Sequence, residues 1–430
     1  MTFSINSVSF EVDDDGTLRK MVNFSSAAVD TTVPAETPNG IPIKSIGSEF
    51  CLGRYNTVTI DNKISKIEEN AFENSRVELI VWSSSCNVIP ECCFYNARIN
   101  SIININNVRS VCKKAFWCCK IQSFRWPDLC PVIPLYCFYN CDIQELSNID
   151  DVYSICSGAF ALSKIKSIVW PSKCDRIPPS CFHTSSLSKI SNISHVKSIG
   201  ESAFEKSSLT DFVWPSNCKS IPIKCFASSY LENITNTDNV SEIEREAFWS
   251  CRIEEFSVPL KVERIESKTF FGCKNLKKII LHNGINKIKY QAFSDTAISE
   301  LYWPSECVEI PEYCFAYCGK LKALFNIDNV KSVGTAAFYK CGIENLEWPS
   351  ACAVIPVSCF NDSEITVLSN ISKVTVIRCL AFQDAKNLKI LDLSSTFISC
   401  IEPLAFANLS SDNVIKPYYM NDEEFSKLFL

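Results

Sequence analysis

Phenylalanine recurs at a fixed spacing through most of this chain. One column starts at Phe50, runs through Phe72, Phe94, Phe116 and Phe138, and reaches Phe382 and Phe406, seventeen residues in all. The step is 22 residues and widens to 23 or 24 at only three places. A register held over that many copies means one structural unit per step, each stacking on the next. It overrides the two or three ordinary domains that 430 residues would suggest.

Each step has the same grammar. An apolar residue seventeen before the Phe opens a segment of the form L-x-x-I-x-(W/N), as at Leu187 and Leu209. A turn follows, then a second apolar pair such as Val196 and Ile199, then a small residue and the Phe. Apolar and polar positions alternate, so the segments read as strands, and the step leaves room for a short helical turn at most. The steps alternate between two types. One ends in Cys-Phe and carries Trp twelve before the Phe (Trp82, Trp126, Trp170, Trp214, Trp303, Trp348). The other ends mostly in Ala-Phe and carries Asn there (Asn104, Asn148, Asn192, Asn236, Asn326, Asn370). A Trp row can be an aromatic binding strip or a row of corner fillers. The second reading is favoured, because large aromatics dominate cores. The Asn row reads as an inward amide ladder that satisfies turn backbone groups out of reach of water. On that reading the sequons at Asn192 and Asn370 are closed to glycans.

Residues 1–45 stand outside the repeat. An Asp15-Gly16 turn between two strand-like runs predicts a hairpin cap, and the Thr- and Pro-rich stretch 31–42 predicts a connector. The array is placed at 46–407 and a C-terminal cap at 408–430. Apolar residues make up 47% and charged residues 21%, a folded composition. The net charge of −6 offers no basic footprint for nucleic acid and no polybasic membrane patch. No basic start followed by an apolar run opens the sequence, and no window has the roughly 18 apolar residues of a spanning helix. These features predict a cytoplasmic protein without membrane insertion, with the cell surface by unconventional export as the alternative.

The 25 cysteines form no C-x-x-C pair and are joined by only three histidines, so zinc-finger spacing is missing. They read as reduced cysteines used as small hydrophobes. Cys119 and Cys141, Cys251 and Cys273, and Cys318 and Cys341 fall on adjacent coils within possible bridging distance, and free thiols are predicted there too.

The runs S-I-G-E-S-A-F (198–204), A-F-W-S-C (247–251) and F-F-G-C-K-N-L-K-K-I-I-L (270–281) resemble BspA-like leucine-rich repeats, also called the Treponema-type class. The resemblance covers about residues 46–406. It implies a leucine-rich repeat solenoid, right-handed and curved, mostly β, with a parallel sheet on its concave side and about seventeen coils. It also implies kinship with surface antigens and adhesins that bind host matrix proteins or other microbes.

Catalytic constellations are missing from the pattern. His183 has no repeat-wide partner, glycine totals only 11 with no phosphate-binding loop, and no cofactor or metal set is evident. A non-catalytic protein-interaction scaffold is therefore expected, with a surface adhesin as the alternative. The oligomeric state stays open. The third and fifth residues of each strand should face away from the core. On that face Tyr302 and Phe325 fall on neighbouring coils beside Glu300 and near Ile280, the composition of an interaction anchor.

Overall fold

The computed structural model describes residues 1–429, the side chain of Leu52 aside. By its internal contacts the chain divides into two compact units, Met1–Leu209 and Thr210–Leu430. Each is a stack of parallel β coils. The chain makes about eighteen turns with almost no helix, a leucine-rich repeat solenoid.

The Phe column is the spine of each unit. All its rings are buried. Phe248 lies between Phe226 and Phe270 at centroid distances of 5.9 and 5.4 Å, with the rings within 10° and 3° of parallel. The backbone continues the same connection. The N–H of Phe138 donates to the carbonyl of Ala159 at 2.8 Å, and that of Phe248 to Thr269 at 3.1 Å. The turn around each Phe is tight. Residues two before and two after it take left-handed φ, as at Tyr136 (53°) and Asn140 (51°) around Phe138. That conformation costs a non-glycine residue roughly 1–2 kcal/mol, which the buried ring and its hydrogen bonds offset. Gly158 is needed at its turn for a second reason. A Cβ there would lie 2.3 Å from the ring of Tyr136 on the preceding coil.

The first unit begins with three antiparallel strands, β1 (Thr2–Ile5), β2 (Val8–Val12) and β3 (Thr17–Asn23). The Asp15-Gly16 turn is present. Asp15 Oδ1 accepts the N–H of Thr17 at 2.8 Å, and Gly16 has φ 84°. β3 then pairs in parallel with Ser45–Ile46, so the hairpin caps the first coil. The connector reading of residues 31–42 needs correction. β4 (Val29–Val33) reaches into it and pairs in parallel with Arg54–Ile60 as the first rung of the strand face. No Phe follows β4 at the fixed offset, so the column gave no sign of it.

The far end of the second unit also goes beyond a cap. Val414–Ile415 pairs with Leu391–Asp392, the N–H of Phe406 donates to Leu428, and Phe429 packs on Phe406 at 5.4 Å. Residues 408–430 thus hold one more coil. Its turn is replaced by a short helix α1 (Asp422–Ser426), with Asn421 Oδ1 accepting the N–H of Glu424.

The strand ladders are less continuous than the Phe spine. From residue 123 on, three-residue strands pair two by two. Ser123–Arg125 joins Glu145–Ser147, and Ser167–Val169 joins Lys189–Ser191. In the second unit Asp211–Val213 joins Asn233–Thr235, Glu300–Tyr302 joins Ala323–Phe325, and Asn345–Glu347 joins Val367–Ser369. These ladders run from a Trp coil to the Asn coil after it, Glu255–Ser257 joins Lys278–Ile280 on two coils with Val258 and Leu281 at that corner, and no ladder crosses to the next pair. Where a pair ends in an Asn coil, Asn is the cause. It sits at φ 58–63° at the strand end and turns the backbone out of the extended conformation.

The spine predicts the response to its loss. Phe248→Ala should cost about 3–5 kcal/mol and give the second unit a separate, earlier denaturant transition. A single unchanged transition would show that the ring does not hold its neighbours.

Candidate functional site

The strand face is built by period-two alternation. The central residue of a Trp-coil strand is buried, as Phe124, Ile168 and Leu301 are. The third and fifth positions point outward as expected. Ser123, Arg125, Glu145, Ser147, Glu300 and Glu347 are exposed, and Ala323 is half-buried.

Ladder register brings Tyr302 directly opposite Phe325. Their rings stack with centroids 4.7 Å apart and planes 26° from parallel. Tyr302 remains 63% and Phe325 41% exposed, so the pair is in water and is not a core contact. Glu300 lies two residues before Tyr302 on the same strand and is exposed. Ile280, 52% exposed, lies at the fifth position of Lys278–Ile280. That strand is not laddered to the Tyr302 strand, so Ile280 flanks the pair across a ladder break. A second feature was not foreseen. In the first unit a groove of about 810 Å³ opens on the strand face along residues 101–191. Gln144, Glu145, Ser147, Ser167 and Lys189 are among its lining residues, and it includes the break between Glu145–Ser147 and Ser167–Val169. A third is an aromatic row on the turn side, where Trp117 contacts Tyr95, Tyr136 and Tyr139 and Lys114 lies 4.7 Å over its ring. Tyr95, Trp117 and Tyr139 each follow a column Phe, a spacing visible in the sequence.

The Trp row fills corners. All six indoles are buried, and each Nε1–H donates to the carbonyl of the Cys four residues on, as Trp126 does to Cys130 at 2.7 Å. The inward amide ladder is corrected. The six Asn are exposed. Each gives one Nδ2–H bond back to the carbonyl of the Trp on the preceding coil, at 2.6–2.8 Å. The position selects Asn because it tolerates left-handed φ while its amide bridges the coils. Burial is therefore no barrier to a glycan at Asn192 or Asn370.

All 25 cysteines are free thiols. Those following Trp form a column absent from the sequence reading, and Cys130 donates its S–H to the carbonyl of Val108 on the preceding coil at 3.3 Å. Cys251 and Cys273 stand 3.9 Å apart, sulfur to sulfur, and the Cys273 thiol donates to Phe248 O at 2.9 Å. Burial pushes Cys86, Cys218, Cys318 and Cys352 up to about 11 and Cys130 to about 12. Burial also raises the enclosed thiols of the Cys-Phe turns, such as Cys137 and Cys181, well above the ordinary thiol value. His183 Nδ1 lies 3.4 Å from Glu205 Oε2 without hydrogen-bond geometry, and His195 and His282 bond to turn carbonyls. Among the described residues no group of three or more His, Cys, Asp or Glu is placed to hold a metal, and no helix is long and apolar enough to cross a membrane.

Coil, spine and outward strand face define a leucine-rich repeat protein. The chain belongs to the BspA-type leucine-rich repeat family, whose model matches residues 38–144, 131–254, 241–366 and 355–426. Among solved structures, a leucine-rich repeat protein from Bacteroides ovatus is 21% identical, with a TM-score of 0.67, over 80% of this chain and 94% of that one. The pneumococcal vaccine antigen PcpA is 13% identical over 98% of this chain and 99% of its own, at a TM-score of 0.38. A leucine-rich cell surface protein from Faecalibacterium prausnitzii is 16% identical over 100% and 97%, at 0.29. No curated protein matches the sequence.

Two outcomes follow from this chemistry. Unfolded thiols ionise near pH 8.5, while the buried ones hold their protons to higher pH. Their contribution is therefore complete below about pH 8.5 and is lost as pH climbs toward the folded values. Denaturant midpoints should hold from pH 7 to about 8.5 and then decline, less steeply in a Cys130→Ala, Cys218→Ala variant; equal slopes would contradict the account. For the Asn row, Asn192→Ala should cost roughly 1–3 kcal/mol, combining left-handed strain with a lost hydrogen bond. Asn192→Gly should cost less, since glycine keeps the φ. Equal losses in equilibrium unfolding would remove the backbone argument.

Proposed function

We propose that this protein is a non-catalytic recognition scaffold that holds a protein partner on its strand face, with Tyr302 and Phe325 as the anchor and Glu300 and Ile280 beside them. The observation that carries the reading is the stacked, water-exposed aromatic pair. Each ring keeps apolar area in water that a partner would remove, at roughly 25 cal/mol per Å², and binding energy concentrates on such anchors. Membership of the leucine-rich repeat class supports a scaffold role.

We place this recognition in a reducing compartment. The support is chemical, since Cys130, Cys273 and Cys318 act as S–H donors to main-chain carbonyls and would lose those bonds on oxidation. Mass spectrometry of protein alkylated at harvest should find Cys251 and Cys273 unbridged; an oxidised pair would move the protein to the cell surface.

For the anchor, a photo-reactive amino acid at Glu300 should cross-link one protein partner in cells. Tyr302→Ala with Phe325→Ala should abolish that cross-link while the melting temperature changes little. An undiminished cross-link at unchanged stability would remove the pair from the interface.

A further inference from the structure

The anchor is bordered by carboxylates. Glu300 precedes Tyr302 on its strand, Asp328 follows Phe325 by three residues, and Glu347 holds the fifth position on the next coil. Along this stretch lysines are commonly paired across coils, Lys277 with Glu254, Lys322 with Glu344 and Lys340 with Asp362. Glu300, Asp328 and Glu347 are all exposed, and their carboxylates take part in none of the ion pairs or hydrogen bonds among the described residues. Lys278, on the neighbouring strand, is the one cation at a third or fifth position beside them, and it is likewise outside those pairs.

The chain supplies a template for what such a border can hold. Arg125 occupies the fifth position of its strand, and its guanidinium bonds the carboxylate of Asp128, three residues on, at 2.7 Å. Phe325 and Asp328 have the same spacing in sequence, with left-handed Asn326 after the ring where the template has buried Trp126. A guanidinium arriving from outside and lying over that ring would have the exposed carboxylate of Asp328, three residues on, to bond with its edge. The chain also makes the ring half of that contact elsewhere, where the Arg252 guanidinium lies 3.9 Å over the Tyr230 ring. A planar cation satisfies both partners, its face on the aromatic surface and its edge on the carboxylate.

We propose that the Tyr302–Phe325 anchor takes an arginine side chain from a basic segment of the partner protein, stacked on the rings and held by Asp328 and Glu347. The inference rests on the reading of the strand face as a recognition surface and adds the chemistry of its occupant.

Fluorescein-labelled decapeptides of alternating Leu-Arg, Leu-Ser and Leu-Glu provide the test, with fluorescence anisotropy read on the full chain at 150 mM salt. The arginine peptide should bind at least tenfold more tightly than the glutamate peptide. Asp328→Asn with Glu347→Gln should weaken it roughly tenfold, as should Tyr302→Ala with Phe325→Ala. Asp150→Asn with Glu255→Gln, which removes two exposed carboxylates elsewhere on the strand face, should stay within twofold. An equal loss in that control would reduce the effect to general attraction by an acidic protein and overturn the proposal. If the serine peptide binds as well as the arginine peptide and both are lost in the aromatic variant, the recognition face stands and the arginine occupant falls. If the aromatic variant binds every peptide like wild type, both fall. Sedimentation velocity adds one further outcome. A dimer that the aromatic variant dissolves would assign the anchor to a second copy of the chain and overturn the proposal.

Discussion

Within each unit the fold depends on the turn that carries the column Phe. There a ring stacks on the ring of the next coil while the N–H of the same residue reaches the next coil's carbonyl. Side chain and backbone thus hold one register at one point. The turn's left-handed residues cannot be explained by propensity, since most of them are not glycine. They are held there because the ring and the hydrogen bond over-determine the turn. The rest of the coil hangs from this point, which lets the strands vary in sequence without loss of stacking.

The two-coil alternation divides labour among corner residues. Trp fills its corner, gives its indole N–H to the Cys carbonyl, and receives the Asn amide of the following coil on its own carbonyl. The Cys behind it is buried, and at Cys86, Cys130 and Cys352 its S–H bonds a carbonyl of the preceding coil. Part of the abundance of cysteine is therefore a small buried side chain that also donates a hydrogen bond between coils. The strand ladder stops between those same coils, and in the first unit the long groove on the strand face includes such a break.

Much of this was legible because it is periodic. The Phe column, the strands and their outward positions follow from spacing alone, and Tyr302 and Phe325 are exposed for the reason the alternation gives. The orientation of the Asn row was not legible, because it is decided by a backbone dihedral that burial patterns do not encode. β4 and the last coil were missed where Phe is absent or displaced: Val29–Val33 reads V-D-T-T-V and alternates only in burial, while Phe429 stands 23 residues beyond Phe406. The aromatic row around Trp117 is periodic as well, since Tyr95, Trp117 and Tyr139 each follow a column Phe, but spacing alone does not tell that their rings meet. That the carboxylates beside the anchor are left without lysines was not legible, because only the structure shows which acids Lys322 and Lys340 take.

The paired ladders bear on how such a gene can lengthen. Duplicating or deleting a single 22-residue copy would set two Trp coils, or two Asn coils, side by side. One Trp carbonyl would then face no amide, or one amide would face no carbonyl. Copying 44 residues leaves every corner matched. Recombination between repeats should therefore be tolerated in even steps, so that surviving length variants change by pairs of coils and the recognition face grows or shrinks by two strands at a time.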